Sequence, residues 1–274
     1  MELKGKTAII TGSTRGIGAG IAVAFAREGA NIVINGLTTE SCNEMVKQVT
    51  DAGAQAMGIG ADVSKAADVE AMVAATVKRF GGVDILVNNA GIGGPAVLLH
   101  EMAEAQWDRV MNVNLKSVFL CCKAVLPSMI AKGKGKIVNI ASVAGIRMTF
   151  FGSADYTTSK HGVAGLTQHL AWEVADHRIN VNAVCPGAVT TPLMVQHTTP
   201  ELREQLTRRL VPLGRFDTTE DIAEAVLFLA SDRSDMITGH LLPVDGGMLT
   251  GFGEDVRAIV RKRMEEAKAA KAHS

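Results

Sequence analysis

Short runs of β-branched and apolar residues alternate along the chain with longer segments whose apolar residues recur three and four positions apart. The short runs predict strands over residues 7–10, 31–35, 56–63, 84–89, 136–142, 178–184 and 240–245. The longer segments predict helices over 17–27, 40–52, 66–80, 104–131, 156–176 and 219–231. This alternation is typical of an α/β fold with a parallel sheet and right-handed crossovers. We therefore predict one doubly wound domain over residues 1–250.

Small and polar residues cluster directly after several of the predicted strands. The sequence reads TGSTRGIG after the first strand, NNAG after the fourth, ASVAG after the fifth and CPGAVTTP after the sixth. Ligands of doubly wound sheets bind beyond the carboxyl ends of the strands. We therefore expect the functional site along this edge.

The segment TGSTRGIG (11–18) joins a strand to a helix and carries glycines at positions 12, 16 and 18. Glycine lets the backbone approach a pyrophosphate, and the helix start offers free N–H groups and a positive dipole end. The spacing is G-x-x-x-G-x-G rather than the common G-x-G-x-x-G. For this segment alone, a tight connection without ligand is the alternative.

The only tyrosine of the chain, Tyr156, precedes Lys160 by four residues. In a helix these positions share one face, so the two side chains can meet. A nearby cation favours the phenolate and lowers the pKa of a tyrosine from its ordinary value of about 10. The alternative is a surface pair that is four residues apart by chance.

Charge and composition narrow the classes of function. The chain has 28 basic and 28 acidic residues, and they are dispersed, which gives no electrostatic footprint for nucleic acid. No run of 18 apolar residues predicts a membrane span, and a strand pattern near the start leaves no room for a signal peptide. The cysteines (Cys42, Cys121, Cys122, Cys185) form no C-x-x-C motif and have no histidines at metal spacing. We expect a cytoplasmic globular protein without a metal site.

Taken together and in order, TGSTRGIG, NNAG, Ser142, Y-T-T-S-K and PG-A-V-T-T resemble the short-chain dehydrogenase/reductase family. The resemblance covers about residues 3–250, and it is strongest to the compact branch with 3-oxoacyl-carrier-protein reductases and many secondary-alcohol dehydrogenases. It implies a Rossmann-type sheet of about seven strands. It also implies hydride transfer between NAD(P)(H) and a small-molecule secondary alcohol or ketone.

The resemblance also implies which residues hold the cofactor. The pyrophosphate and adenosine end would lie on Gly12, Arg15, Gly16, Ile17 and Gly18. Asp62 and Val63 would contact the adenine, Asn89 and Gly91 the ribose side, and Val189 and Thr191 the nicotinamide carboxamide.

The choice between NAD and NADP depends on the end of the second strand. A carboxylate there would bind the ribose 2′-hydroxyl and repel a 2′-phosphate. The sequence NIVINGLTTE has no acid before Glu40, Thr38 and Thr39 can donate hydrogen bonds, and Arg15 is placed as in NADP(H)-using relatives. Against this, Leu37 is apolar and a similar neutral turn occurs in NAD-using relatives. We favour NADP(H) over NAD(H).

By the same resemblance, Asn114, Ser142, Tyr156 and Lys160 form a catalytic tetrad. Tyr156 would be the general acid/base, with its pKa lowered by Lys160 and by the oxidised nicotinamide ring. Lys160 would also bind the nicotinamide ribose. Ser142 would donate to the substrate oxygen, and Asn114 would bend its helix and hold a water that links Lys160 to solvent. Asn112 is a rival to Asn114.

Three variable segments, 92–100, 143–152 and 190–214, are expected to contact the substrate. Phe151 in the second segment suits an apolar or ring-shaped substrate. Ser142 is also expected to contact the substrate. Arg147 would either bind an anionic group or pair with a nearby acid at the surface. Thr199 and Pro200 are a favourable N-cap and first position, so residues 199–210 are predicted to form a helical lid.

The resemblance implies a homotetramer or homodimer built through the helix with the Tyr–Lys pair and through the last strand. Residues 251–274 form a charged, alanine-rich extension that we expect to be partly helical. The main alternative function is a cofactor-binding, redox-sensing regulator without turnover. An epimerase or dehydratase is disfavoured, because such relatives generally carry a larger C-terminal substrate domain.

Overall fold

Seven parallel strands form one sheet in the order β3-β2-β1-β4-β5-β6-β7. The computed structural model describes residues 1–94, 97–149, 152–191, 194–195, 198–251 and 264. The strands are β1 (Thr7–Ile10), β2 (Asn31–Gly36), β3 (Ala56–Gly60), β4 (Ile85–Asn88), β5 (Gly135–Ile140), β6 (Ile179–Pro186) and β7 (Leu241–Val244). The strand order reverses at β1, so the crevice expected for a nucleotide lies between β1 and β4. The predicted α/β fold is confirmed.

Helices cover both faces of this sheet. They are α1 (Gly16–Arg27), α2 (Asn43–Asp51), α3 (Ala66–Phe80), α4 (Glu104–Met111), α5 (Ser117–Lys132), α6 (Ala154–Glu173), α7 (Pro200–Leu210) and α8 (Thr219–Ala230). Alternate residues of one strand enter the two cores: Ile10 packs with α1 and α8, whereas Ile9 packs with α3 and α5. Burial of both faces explains why the strands read as continuous apolar runs.

The sequence prediction differs from the structure at two elements. Strand β3 ends at Gly60, not at residue 63, because Asp62 starts a turn in which its carboxylate accepts hydrogen bonds from the Ser64 N–H at 3.1 Å and hydroxyl at 2.7 Å. The single helix predicted over 104–131 is interrupted by a π-helical turn, Asn112–Lys116. The local departure from α-helix that we expected at Asn114 is thereby confirmed.

The helical stretch Glu104–Lys132 is long and apolar enough to cross a membrane by length and composition alone, and it is the one such stretch in the described parts of the chain. Its apolar residues have another explanation. Val118, Cys121, Val125 and Met129 pack in the core beneath the sheet. The helix therefore has its partner within the protein, as core helices do.

The helix predicted over residues 199–210 is present as α7, and its role as a lid stays a prediction. The Thr199 hydroxyl accepts a hydrogen bond from the Leu202 N–H at 3.2 Å, and Pro200 follows at the first helical position. The helix packs through Leu206 and Leu210 on a small apolar cluster that includes Val143. Because Val143 follows Ser142 directly, α7 lies beside the predicted site. Residues 192–193 and 196–197 of the lid segment, and 252–263 and 265–274 of the C-terminal extension, lie outside the described residues.

Candidate active site

The glycine-rich turn between β1 and α1 is fixed to the neighbouring strand β2 through the side chain and backbone of Asn35. Gly12 and Gly16 adopt positive φ angles of +60° and +61°, which side chains disfavour. The Gly12 N–H donates to Asn35 Oδ1 at 3.1 Å. The turn thus has a defined shape in the protein itself.

Asn35 is a residue whose role the sequence reasoning missed. Its side chain is buried, and its Nδ2 lies within hydrogen-bond distance of the Gly36, Ile59 and Ala61 carbonyls, at 3.1, 3.3 and 3.1 Å. Asn35 therefore connects β3 to the turn after β1. The available signal was a polar residue directly after the apolar run Ile32–Ile34, at the carboxyl end of the strand.

The start of helix α1 suits a phosphate group. Arg15 at the N-cap makes no side-chain cap, and the first turn contains no acidic residue. A Cβ on Gly18 would lie 2.5 Å from Asn89 Nδ2, whereas one on Gly16 would meet only Thr191 Cγ2, at 3.9 Å. The backbone at Gly18 is thus closely packed, and Gly16 borders open space across from Thr191. Free N–H groups, a positive dipole end and this space fit the pyrophosphate of a dinucleotide.

Asn89, which we predicted on the ribose side, fastens the glycine turn to β4. Its Nδ2 donates to the Thr11 and Gly12 carbonyls at 2.9 and 3.0 Å. The Thr11 hydroxyl in turn accepts hydrogen bonds from the N–H groups of Asn89 and Ala90. Predicted cofactor residues after β1 and β4 are therefore brought together at the expected crevice.

Asp62 and Val63 lie just beyond β3 rather than on it. The Asp62 carboxylate is engaged by Ser64, and Lys65 Nζ lies 3.6 Å away. The Ser64 hydrogen bond, followed in effect by Lys65, lowers the pKa of this carboxyl. Asp62 is thus an ionised acceptor at the carboxyl edge of the sheet.

Ser142, Tyr156 and Lys160 come together after β5. Lys160 Nζ donates to the carbonyl of Ile140, the last residue of β5, at 2.8 Å. The same nitrogen lies 5.7 Å from the centroid of the Tyr156 ring. The Ser142 Oγ accepts a hydrogen bond from the Ala144 N–H at 3.0 Å. The face shared by Tyr156 and Lys160, inferred from their spacing, is present.

The protonation of this group differs from the expectation. Burial raises the pKa of Tyr156, and a hydrogen bond with Ser142 opposes that effect only in part. Burial also lowers the pKa of Lys160 to about 8. In the protein without cofactor, the effect of burial on the tyrosine pKa therefore exceeds the lowering that we expected from Lys160, and the lowering in the cofactor complex stays a prediction. The physical reason is that removal from water outweighs a cation that is bound to the Ile140 carbonyl.

Asn114 lies in the π-helical turn and is buried. Its Oδ1 accepts from the Ile92 N–H at 2.8 Å, and its Nδ2 donates to the Ile92 carbonyl at 2.9 Å and to the Ser159 hydroxyl at 3.1 Å. The side chain thus ties the loop after β4 to helix α6. The rival Asn112 is exposed.

The segment after β6 is anchored by its backbone. Val189 forms an isolated parallel bridge with Asp217, in which the Thr190 N–H donates to the Asp217 carbonyl at 2.8 Å. The Thr191 hydroxyl accepts from the Met194 N–H at 3.3 Å. Val189 and Thr191 are therefore held at the same edge as the glycine turn.

Of the residues predicted to bind the substrate, Ser142 lies beside Tyr156 and Lys160, whereas Arg147 is bound to backbone carbonyl groups. The guanidinium of Arg147 donates to the Met248, Leu249 and Gly251 carbonyls at 2.9, 3.4 and 3.1 Å. This arrangement is neither of the two alternatives that the sequence suggested, since the partners are backbone oxygens. Phe151 lies outside the described residues.

Exposed apolar side chains mark all three of the predicted substrate segments. They are Leu98, Leu99, Ile146, Met148, Val195, Leu202 and Leu213. In the described parts of the chain, no group of three or more His, Cys, Asp or Glu side chains is arranged to hold a metal ion. The four cysteines are free and buried.

Comparisons with known proteins agree with this geometry. A family model described as Enoyl-(Acyl carrier protein) reductase matches residues 12–249. The chain is 39% identical over 249 residues to the 3-oxoacyl-[acyl-carrier-protein] reductase of Thermotoga maritima. This match covers 91% of this chain and 100% of the relative. It is 42% identical over 254 residues to 2-(S)-hydroxypropyl-CoM dehydrogenase 3 of Xanthobacter autotrophicus, with coverages of 90% and 98%.

A solved structure gives the same result for the fold. The crystal structure of levodione reductase matches with a TM-score of 0.86 at 34% identity, and the match covers 91% of this chain and 100% of that one. Together with the matched family model and the two relatives, the likeness extends over nearly the whole sheet and the site at its edge. The chain belongs to the short-chain dehydrogenase/reductase family of NAD(P)(H)-dependent oxidoreductases.

Proposed function

We propose that this protein interconverts a secondary alcohol and a ketone. The observation that carries the proposal is the meeting of Ser142, Tyr156 and Lys160 beyond β5, with Lys160 fixed to the Ile140 carbonyl. When bound, the cofactor supplies or accepts the hydride at the carbinol carbon. The residues of the chain then have to orient the substrate oxygen and move one proton to or from it.

Ser142 is arranged to donate to that oxygen. Its Oγ accepts the Ala144 N–H, and its own proton can be donated to the Tyr156 oxygen or, once substrate is bound, to the substrate oxygen. Ser142 thus positions the oxygen for proton transfer.

Tyr156 is the proposed proton donor and acceptor. Burial favours its neutral form, so in the direction of ketone reduction the phenol begins with the proton that the substrate oxygen needs. Lys160 has one N–H on Ile140, which leaves two donors for the nicotinamide ribose. Oxidation of the alcohol requires removal of the phenolic proton first, and the positive charge of the oxidised cofactor favours that state.

We favour NADP(H) as the cofactor. The guanidinium of Arg15, next to Gly16, makes no hydrogen bond or ion pair with any residue that the structure describes. The loop after β2 has no acid before Glu40, and Leu37 is exposed there. The Thr39 hydroxyl accepts from the Gly60 N–H, so its proton is available to an anion. A free guanidinium and a hydroxyl donor suit a 2′-phosphate.

The substrate belongs to the small-molecule alcohols and ketones with an apolar portion. The exposed apolar residues of the three segments around the site support this. The names of two relatives, a 3-oxoacyl-carrier-protein reductase and a hydroxypropyl-CoM dehydrogenase, both describe alcohol–ketone chemistry next to a sulfur-linked carrier. We therefore propose β-keto and β-hydroxy thioesters and thioethers as the first compounds to test.

We also propose a homotetramer or homodimer in the cytoplasm. Phe119 on α5 and Trp172 on α6 are large and exposed, Trp172 to 81%, and such residues are enriched in interfaces. Free, buried thiols suit a reducing compartment.

The experiment that tests the proposal measures NADPH and NADH binding by fluorescence and then turnover of a ketone, alcohol and enoyl panel. We expect tighter binding of NADPH and turnover of ketones and secondary alcohols. Binding without turnover of any compound would favour the redox-sensing regulator. Turnover of enoyl compounds alone would favour the reaction named in the description of the matching family model. Failure of both cofactors to bind would overturn the proposal.

A further inference from the structure

Asp217 is a buried carboxyl with an unsatisfied oxygen. The residue is 6% exposed, and its Oδ2 has no hydrogen-bond partner among the residues that the structure describes. A buried, unpaired carboxylate is costly, so such a group calls for an explanation. The activity proposed above does not use it.

The backbone of Asp217 holds the segment that follows β6. Its N–H donates to the Ala188 carbonyl at 2.9 Å, and its carbonyl accepts from the Thr190 N–H at 2.8 Å. These two bonds flank Val189. A shift of the Asp217 backbone would therefore also move Val189, which we propose as a contact of the nicotinamide carboxamide.

The side chain of Asp217 lies next to Gly187, at the start of the same segment. A Cβ on Gly187 would lie 3.2 Å from Asp217 Oδ2 and 2.8 Å from the Cα of Asp245. Asp245 is itself buried, with its carboxylate accepting from the Gly247 and Leu249 N–H groups at 2.8 Å each. The Asp217 carboxyl group and the backbone of Asp245 thus approach Gly187 from two different elements.

Four neighbours determine the charge that Asp217 experiences. Burial raises its pKa to about 6, and the negative charges of Asp221 and Asp245 act in the same direction. The Gly187 N–H, which is donated to the Val244 carbonyl at 2.8 Å but lies close to Asp217, and the positive charge of Arg215 oppose this increase. Arg215 is committed to Asp221, with contacts of 2.5 and 2.8 Å, so it compensates Asp217 only weakly.

We propose that Asp217 is a positioning residue whose protonation strengthens binding of the nicotinamide end of the cofactor by segment 187–191. The inference rests on the cofactor role proposed for Val189 and Thr191. With a neutral carboxyl group, the bridge beside Val189 forms without buried repulsion. With an ionised one, the unpaired Oδ2 and repulsion from Asp221 and Asp245 weaken the bridged conformation that the protein without cofactor shows. Cofactor binding requires the bridged conformation and therefore takes up protons near pH 6.

The test compares the wild type with Asp217→Asn by titration calorimetry of NADPH and NADH between pH 5 and 8. As the pH rises from 5 to 8, we expect the cofactor affinity of the wild type to fall by about threefold to tenfold more than that of Asp217→Asn. This difference corresponds to an Asp217 pKa that is about 0.5–1 higher in the cofactor complex than in the free protein. At pH 6 the wild type should take up a fraction of a proton that the variant does not. The NADH series is needed because a phosphate monoester itself titrates near pH ~6.

Asp51→Asn is the matched control, since Asp51 pairs with Lys47 at the surface of α2 and undergoes the same charge change. It should behave as the wild type does. Asp245→Asn should move the midpoint of the wild-type pH dependence to lower pH, because it removes one repelling charge. Equal pH dependence in the wild type and Asp217→Asn, with normal binding, would overturn this inference alone. Absence of cofactor binding in the wild type would overturn the proposed function, and this inference with it.

Discussion

Lys160 Nζ lies 2.8 Å from the carbonyl oxygen of Ile140, so helix α6 is joined through this side chain to the end of strand β5. The ammonium group is nearly removed from water, with Lys160 5% exposed. Its position is therefore set by the protein before any ligand binds. Tyr156, one turn earlier on the same helix, is placed relative to this fixed group.

Replacement of Lys160 by Met tests what this cation contributes. We expect a fall in kcat of about 10²–10⁴, the usual range when assistance to proton transfer is lost. The free energy of unfolding should change by less than about 1 kcal/mol, because relief of a buried charge opposes the loss of the Ile140 hydrogen bond. Steady-state kinetics and urea unfolding measure the two quantities. Lys116→Met, on the exposed side of the π-helical turn, is the control, and an equal loss of kcat in that variant would contradict the assignment.

Asn114 and Asn112 provide a matched pair within one turn of helix. Asn114→Ala removes both hydrogen bonds to Ile92 and one to Ser159, which should lower the free energy of unfolding by about 1–3 kcal/mol. Activity should also fall, because the loop after β4 is no longer tied to α6. Asn112→Ala should change stability by less than about 0.5 kcal/mol. Similar thermal shifts for both variants would show that the buried amide has no special role.

Arg15 decides the cofactor in this account. Arg15→Ala should weaken NADPH binding by about tenfold, as expected for one lost charge-assisted contact of about 1.4 kcal/mol, while NADH binding changes by less than twofold. Fluorescence titration gives both affinities. Arg27→Ala, at the other end of α1, should alter neither. If Arg15→Ala weakens NADH and NADPH equally, Arg15 does not recognise the 2′-phosphate.

The raised pKa of Asp217, about 6, also makes a statement about stability without any cofactor. When the pKa of a carboxyl group is higher in the folded than in the unfolded protein, its protonated form favours the folded state. This contribution to the free energy of unfolding is complete below about pH 4 and is lost as the pH rises through 6. Asp217→Asn should therefore be more stable than the wild type at pH 7.5, by about 1–3 kcal/mol, and equally stable near pH 4. Thermal melts across this range measure the difference. A constant difference at all pH values would mean that the carboxyl group does not titrate in the folded protein.

Much of the fold was predictable because both faces of the parallel strands are buried. Runs such as TAII and NIVIN are therefore apolar at successive central positions, and the helices between them show a clear period. The end of β3 was missed because the turn depends on a side-chain contact, from Asp62 to Ser64, that an apolar pattern does not contain. Helix α7 was predicted correctly, since its start is determined locally by Thr199 and Pro200.

The site was predictable where motifs meet at strand ends and less so where long-range contacts decide. The three partners of Arg147 are backbone oxygens about a hundred residues away, and no spacing in the sequence indicates them. The pKa of Tyr156 depends on burial, which opposes the effect of a neighbouring cation and is not visible in a four-residue spacing. The surroundings of the unpaired Asp217 oxygen likewise come from residues far apart in the sequence, Gly187 after β6 and Asp245 after β7.

The most direct test of the central claim is Tyr156→Phe, which removes one oxygen atom and leaves the ring that Lys160 faces. The measurement is single-turnover reduction, with bound NADPH, of the ketone that the wild type uses best. We predict NADPH affinity within about threefold of the wild type and a rate lower by at least about 10². Turnover as fast as that of the wild type, at equal NADPH affinity, would contradict the assignment of Tyr156 as the residue that transfers the proton.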